Sequence, residues 1–173
     1  MNYFNTAEVE NKIINWFLSK GQIVHCKSNG ESTKLIKDAI IDIGEEYKYL
    51  TCPSSCGTNT QFLYDLIWYS ENTNADKTLH SIPLILESEW SFKYADIKYD
   101  FEKLLIVKAK IKIMVFQTNI SITEITEKLV EGIKTYEYYS SDEIYIFAAF
   151  DNTKKCFVVE EYKNQSRLTI AST

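Results

Sequence analysis

The stretch IPLILESEW, residues 82–90, joins an apolar strand to two carboxylates at its end. Side chains alternate between the two faces of a strand, so Leu84 and Ile85 point in opposite directions. Both faces are therefore apolar, which predicts a strand in the interior of a sheet. Glu87 and Glu89 project from the same face, where burial of an uncompensated carboxylate costs free energy. The pattern predicts either a solvated strand end or acids held together by a cation or a proton.

A third acid lies in the aromatic stretch FLYDLIWY, residues 62–69, which also predicts a strand. Asp65 shares its predicted face with Leu63 and Ile67. If the two strands are neighbours, Asp65 lies opposite the pair formed by Glu87 and Glu89. Three carboxylates in one place repel one another unless a cation or proton lies between them, and oxygen ligands suit Mg²⁺, Mn²⁺ or Ca²⁺. Alternatively, Asp65 caps a turn or pairs with a lysine.

The rest of the chain alternates helical and strand patterns. We predict helices at 6–19, 31–43, 100–110 and 121–137, with Gly21 and Gly44 following the first two and Asp100 as the N-cap of the third. We predict strands at 22–26, 47–51, 62–69, 82–90 and 112–118, and a hairpin in which DNTK joins EIYIFAAF to KKCFVVEEY. Helices interleaved with strands that are apolar on both faces predict an α/β domain with a mixed sheet covered by helices.

Composition limits the class of protein. The 173 residues are 45% hydrophobic and carry a formal net charge of −5, which is ordinary for one globular domain. Without a secretory signal or a long apolar run, the expected location is the cytoplasm, with no membrane partner. The acidic total disfavours a protein whose whole surface binds nucleic acid. The segment 93–112 is locally basic, however, with lysines at 93, 98, 103, 108, 110 and 112.

Four cysteines, at positions 26, 52, 56 and 156, raise the question of zinc. Cys52 and Cys56 have the spacing of one arm of a zinc site, but the sequence has no second arm. We therefore interpret the cysteines as reduced thiols, with a zinc site as the alternative.

Together, three features resemble the PD-(D/E)XK nuclease superfamily, which has the restriction-endonuclease-like fold. These are Asp65 in an apolar strand, Glu87-Ser88-Glu89 at the end of the next strand, and the stretch DFEKLL, residues 100–105, in the following helix. The core order of that superfamily is helix, three strands, helix, strand, which the resemblance places at about 31–118. The predicted helix and hairpin at 121–163 would extend a single domain that spans 1–173.

The resemblance implies a function by position. Asp65 would be the first metal-binding acid, Glu87 the second, and the main-chain carbonyl of Ser88 a further ligand of Mg²⁺ or Mn²⁺. Glu89 occupies the place where the family usually has its lysine, which is a departure from the pattern. Lys103 would then supply the missing cation from the following helix, and whether Glu89 or Lys103 completes the catalytic site stays open. The implied activity is metal-dependent hydrolysis of phosphodiester bonds, with DNA as the expected partner.

Other hypotheses remain open. Asp38 or Asp42 could support the site from the preceding helix, and Lys103 could simply belong to a solvated basic face. Because a fold does not determine an activity, the chain could also be a catalytically inactive scaffold that binds nucleic acid or protein. A metal-free partner in a phage-defence or toxin–immunity pair is a third hypothesis, and the protein could act as a homodimer or with a partner protein.

Overall fold

The computed structural model of the protein describes residues 5–53 and 63–170, which form four helices and seven strands. The helices are α1 (Thr6–His25), α2 (Asn29–Glu46), α3 (Tyr94–Ile106) and α4 (Ile122–Thr135). The strands are β1 (Leu50–Cys52), β2 (Leu66–Glu71), β3 (Leu79–Glu89), β4 (Ile111–Gln117), β5 (Ile144–Asp151), β6 (Cys156–Lys163) and β7 (Ser166–Ile170).

All seven strands belong to one mixed sheet, in the order β1 to β7. Strands β3, β4 and β5 run parallel, and the other neighbouring pairs are antiparallel. Parallel neighbours need a crossover, which α3 provides between β3 and β4 and α4 between β4 and β5. The predicted α/β class with a mixed sheet covered by helices is confirmed.

The helices cover both faces of the sheet and create two apolar cores. Leu84 and Leu86 pack in the core under α1 and α2, whereas Ile85 packs in the core under α3 and α4. The predicted alternation along β3 is therefore correct, and β3 is buried on both faces. None of the helices in the described ranges is long and apolar enough to cross a membrane.

Several predicted boundaries are wrong, and two of these errors are at helix ends predicted at glycines. Residues 22–26 form no strand, because α1 continues to His25, and α2 likewise continues beyond Gly44 to Glu46. Gly21 and Gly44 lie inside their helices because each lets another part of the fold approach closely. A Cβ atom at Gly21 would lie 2.4 Å from the Cα of Cys156, and one at Gly44 would lie 2.7 Å from the Trp68 ring.

Other corrections concern single elements. Helix α3 begins at Tyr94 with Lys93 as its N-cap, so Asp100 lies inside the helix and the predicted N-cap is wrong. Strand β2 begins at Leu66, one residue after Asp65, and residue 62 lies outside the described residues. Strand β7 was not predicted.

The cysteines also differ from the expectation. Cys52 is disulfide-bonded, whereas Cys26 and Cys156 are free thiols. The interpretation of all four residues as reduced thiols is therefore wrong at Cys52. Cys56, which the zinc hypothesis also used, lies outside the described residues.

A buried charged cluster joins α1 to β6. The Lys163 Nζ atom lies 2.6 Å from Glu10 Oε1 and 2.6 Å from Glu161 Oε1, and both carboxylates are almost completely buried. Burial raises the pKa of Glu161 to about 7, and a hydrogen bond with Glu10 adds to the rise, which Lys163 opposes. Glu161 therefore holds a proton more tightly in the folded protein than in the unfolded chain.

This cluster predicts a pH-dependent stability. Because the folded-state pKa of Glu161 lies above its ordinary value of 4.5, its stabilising contribution is complete below that value and is lost as pH rises through about 7. Relative to Glu161→Gln, the wild type should lose about 1 to 3 kcal/mol of unfolding free energy between about pH 5 and pH 8. Urea unfolding across that range measures the difference, with Glu131→Gln, an exposed residue of α4, as the control. Parallel curves for wild type and Glu161→Gln would contradict the prediction.

Candidate active site

The pairing of β2 with β3 brings two of the predicted acids together. Leu66 pairs with Leu86 in an antiparallel register, so the next position outward sets Asp65 against Glu87. The negative charge of Asp65 contributes to the raised pKa of Glu87, which agrees with this proximity. The predicted adjacency of the two strands and of these two acids is therefore confirmed.

Glu87 is the most buried of the site residues, at 2% relative exposure. Its Oε2 atom accepts a hydrogen bond from Lys103 Nζ at 2.8 Å. Its Oε1 atom is buried and has no hydrogen-bond partner among the described residues. Burial raises the pKa of Glu87 to about 7, and the nearby charges of Asp65 and Asp100 add to the rise, which Lys103 opposes. One oxygen of a buried carboxylate is thus left with an unused capacity to accept a proton or a cation.

Lys103 is held between two acids. It follows Asp100 by one helical turn on α3, and its Nζ atom lies 2.9 Å from Asp100 Oδ1 as well as 2.8 Å from Glu87 Oε2. Burial alone would lower its pKa, but the hydrogen bonds to Glu87 and Asp100 raise the pKa to about 12. Lys103 is therefore a fixed cation at the end of β3. Sequence reasoning missed this role of Asp100, although its i,i+3 spacing to Lys103 was a usable signal.

Glu89 is turned toward the start of α3. Its Oε1 atom accepts a hydrogen bond from the backbone N–H of Ser91 at 2.6 Å. Burial raises the pKa of Glu89, and the neighbouring carboxyl of Asp100 raises it further, while the bond from Ser91 lowers it. Asp96 lies in the same acidic environment and accepts a hydrogen bond from Ser91 Oγ at 2.6 Å.

The structure does not gather Asp65, Glu87 and Glu89 into one three-acid group. Within residues 5–53 and 63–170, no three side chains of His, Cys, Asp or Glu are arranged so that they could hold a metal ion. The expectation that these three acids meet at a single point is therefore wrong, and the adjacent pair of Asp65 and Glu87 remains.

Asp65 has defined partners on β3. Its Oδ2 atom accepts hydrogen bonds from the backbone N–H of Ser88 at 2.8 Å and from Ser88 Oγ at 2.6 Å. Asp65 therefore ties the start of β2 to the end of β3. Ser88 contributes its N–H and hydroxyl groups, which sequence reasoning did not assign.

Not every lysine of the basic segment 93–112 is exposed to a nucleic-acid partner. Lys112 is completely buried in β4, where it lies 2.8 Å from Glu143 and donates a hydrogen bond to Tyr145 Oη at 3.2 Å. Burial lowers the pKa of Lys112. The locally basic segment makes Lys112 a candidate for contact with a nucleic-acid backbone, but that interpretation is wrong, because helices cover this face of the central strand. Lys93, Lys98 and Lys108 are exposed.

The supporting acids proposed on α2 lie on its surface. Asp38 and Asp42 are both exposed, and Asp38 forms an ion pair with Lys34 at 2.5 Å.

No protein-family model matches the chain, and no curated protein shows significant similarity to it.

Proposed function

We propose that the protein is a divalent-metal-dependent nuclease of restriction-endonuclease-like fold that hydrolyses phosphodiester bonds of DNA. The observation that carries the proposal is the buried Oε1 atom of Glu87, which has no hydrogen-bond partner among the described residues. It lies on the strand next to Asp65, and a fixed ammonium group contacts the other oxygen of the same carboxylate.

The order of elements supports the proposed fold. From α2 to β4 the chain runs helix, three strands, helix, strand. That order, and the positions of Asp65, Glu87 and Lys103 on or beside β2, β3 and α3, agree with the resemblance to the PD-(D/E)XK superfamily.

The donors at the site fit a hard cation. Glu87 offers an unpartnered carboxylate oxygen. Asp65 uses Oδ2 for the two bonds from Ser88 and offers its second oxygen, Oδ1. With the main-chain carbonyl of Ser88, these would be oxygen ligands of the kind that Mg²⁺ and Mn²⁺ prefer, and water can complete such a shell. When bound, the ion would stabilise charge on the phosphate and lower the pKa of a coordinated water.

The chain's own residues supply the remaining functions. Lys103 keeps its positive charge because Asp100 and Glu87 hold it, so it can stabilise the negative charge that develops on the phosphate in the transition state. Glu89 has a raised pKa, which brings it closer to the range in which a carboxylate is an effective general base. Glu89 shares a face of β3 with Glu87 and would be the candidate to accept a proton from the attacking water, while Lys103 would act on the phosphate.

Exposed lysines would bind the nucleic-acid backbone. Lys98 lies on α3, the helix that carries Lys103, and Lys93 and Lys108 lie just outside its two ends. Contacts of lysine with phosphate give affinity without sequence information. Without a divalent ion, the carboxylates of the site would repel the phosphates of the nucleic acid. The proposed enzyme would therefore need the ion for substrate binding as well as for hydrolysis.

A second candidate function is a catalytically inactive scaffold with the same fold. It is favoured by the ion pair between Glu87 and Lys103, which already neutralises part of the site, and by Glu89 in the usual place of the lysine. Such a protein would bind nucleic acid or another protein without hydrolysis.

Metal removal separates the two functions. Purified protein is expected to nick supercoiled plasmid DNA in MnCl₂ or MgCl₂, and excess EDTA should abolish nicking because the acids then lack their counter-ion. Gel electrophoresis of the plasmid measures the reaction, and a labelled RNA of mixed sequence tests the other substrate class. If DNA and RNA stay intact and calorimetry detects no binding of Mn²⁺, the scaffold function replaces the nuclease.

A further inference from the structure

A chain of hydrogen bonds leads from α2 to Asp65. Trp90 Nε1 donates to Thr33 Oγ1 at 2.8 Å, Thr33 Oγ1 lies 3.3 Å from Ser88 Oγ, and Ser88 Oγ donates to Asp65 Oδ2 at 2.6 Å. Thr33 and Ser88 are 55 residues apart in sequence. All four side chains are partly buried, so the hydroxyl groups are shielded from competing water.

The direction of every bond in this chain follows from its two ends. The indole N–H of Trp90 can only donate, and an ionised carboxylate such as Asp65 can only accept. Ser88 Oγ gives its single proton to Asp65, so the bond between the hydroxyls must run from Thr33 to Ser88. Each hydroxyl therefore accepts one bond and donates one, which polarises both groups toward Asp65.

The backbone around Trp90 is anchored as well. Gln117 Nε2 donates to the carbonyl of Trp90, and Asn152 Nδ2 donates to Gln117 Oε1 at 2.9 Å. The end of β3 is thus fixed from β4 and from the turn between β5 and β6. Asp65, in contrast, precedes β2 and receives no support from the strand ladder itself.

We infer that Thr33 and Ser88 are positioning residues, which hold one oxygen of Asp65 so that the other, Oδ1, faces the divalent ion of the nuclease proposed above. This inference depends on that proposed function. Hydrogen bonds to the ligating carboxylate fix its orientation, and loss of such outer contacts typically weakens metal binding by about 10- to 100-fold.

Titration of Mn²⁺ by calorimetry, without nucleic acid, tests the inference. Ser88→Ala should weaken Mn²⁺ binding by about 10- to 100-fold, because Asp65 keeps only the backbone N–H. Thr33→Val, which keeps the shape but removes the hydroxyl, should also weaken it, by about 10-fold. Thr33→Ser restores the hydroxyl and should bind as the wild type does. Asp65→Ala identifies which part of the heat signal belongs to this site.

The NMR signal of the Trp90 indole N–H adds a readout that is independent of the ion. It should shift in Thr33→Val, which removes its acceptor, and stay near its wild-type position in Thr33→Ser. If the wild type binds Mn²⁺ through Asp65 and Thr33→Val and Ser88→Ala bind it equally well, the positioning role is wrong and the nuclease proposal stands. If the wild type binds no Mn²⁺, both fail. If Ser88→Ala does not fold, the Thr33→Val and Thr33→Ser pair decides the inference alone.

Discussion

Replacement of Glu87 by alanine is expected to reduce metal-dependent hydrolysis of DNA by at least about 100-fold. The change removes the buried oxygen that lacks a partner and also the acceptor of the 2.8 Å bond from Lys103. Among the described residues, Lys103 would then keep Asp100 alone as its counter-ion and would no longer be held against β3. One substitution thus removes a proposed metal ligand and the contact that positions Lys103. The loss of hydrolysis should therefore be larger than in Thr33→Val or Ser88→Ala.

Two further variants make the result specific. Glu87→Gln has nearly the same shape but no negative charge, so a comparable loss in this variant would show that the charge is required. Glu102→Ala serves as the matched control, because Glu102 lies next to Lys103 in sequence but is exposed and pairs with Lys98 on the helix surface. Initial rates of plasmid nicking, with thermal unfolding to verify the fold, provide the measurement. Undiminished nicking by both Glu87→Ala and Asp65→Ala would place the activity in another site or in a contaminant.

The elements that the sequence predicts well are those with a strong local period. The alternation in IPLILESEW gives the two faces of β3 correctly, and with them the shared face of Glu87 and Glu89, because each side chain on a strand is placed by its own position. Helix ends are predicted less well. Glycine often follows the last residue of a helix, yet Gly21 lies within α1. A side chain is absent there because the backbone of Lys155 and Cys156, far later in the chain, lies too close for one.

The same distinction applies to the site. Asp65 and Glu87 could be paired from the sequence because neighbouring strands of a meander meet edge to edge. The bond between Thr33 and Ser88 could not be predicted, since it joins a helix to a strand across 55 residues. No sequence pattern of threonine or serine indicates such a contact. Lys112 shows the converse error: its locally basic segment makes it a candidate for contact with a nucleic-acid backbone, but the central position of β4 buries it beside Glu143.

Replacement of Gly21 by alanine is expected to lower the free energy of unfolding by about 1 to 3 kcal/mol. Alanine is favoured over glycine inside a helix by about 1 kcal/mol, so helix propensity alone predicts the opposite sign. A Cβ atom at this position would lie 2.4 Å from Cys156 Cα and 2.9 Å from the carbonyl oxygen of Lys155. Both are backbone atoms, at the end of the β5–β6 connection and the start of β6, so α1 and this part of the chain must move apart.

Gly30 provides the matched control, because it also lies in a helix but a Cβ atom there would have no neighbour within 4 Å. Gly30→Ala should therefore raise the free energy of unfolding, by up to about 1 kcal/mol, through the lower entropy of the unfolded chain. Urea unfolding of the two variants and the wild type gives both values on the same scale. Opposite signs would establish that Gly21 is required by the contact between α1 and the β5–β6 connection. Equal stabilisation by the two substitutions would mean that the backbone of Cys156 does not lie against α1, and the packing of α1 on this side of the sheet would have to be different.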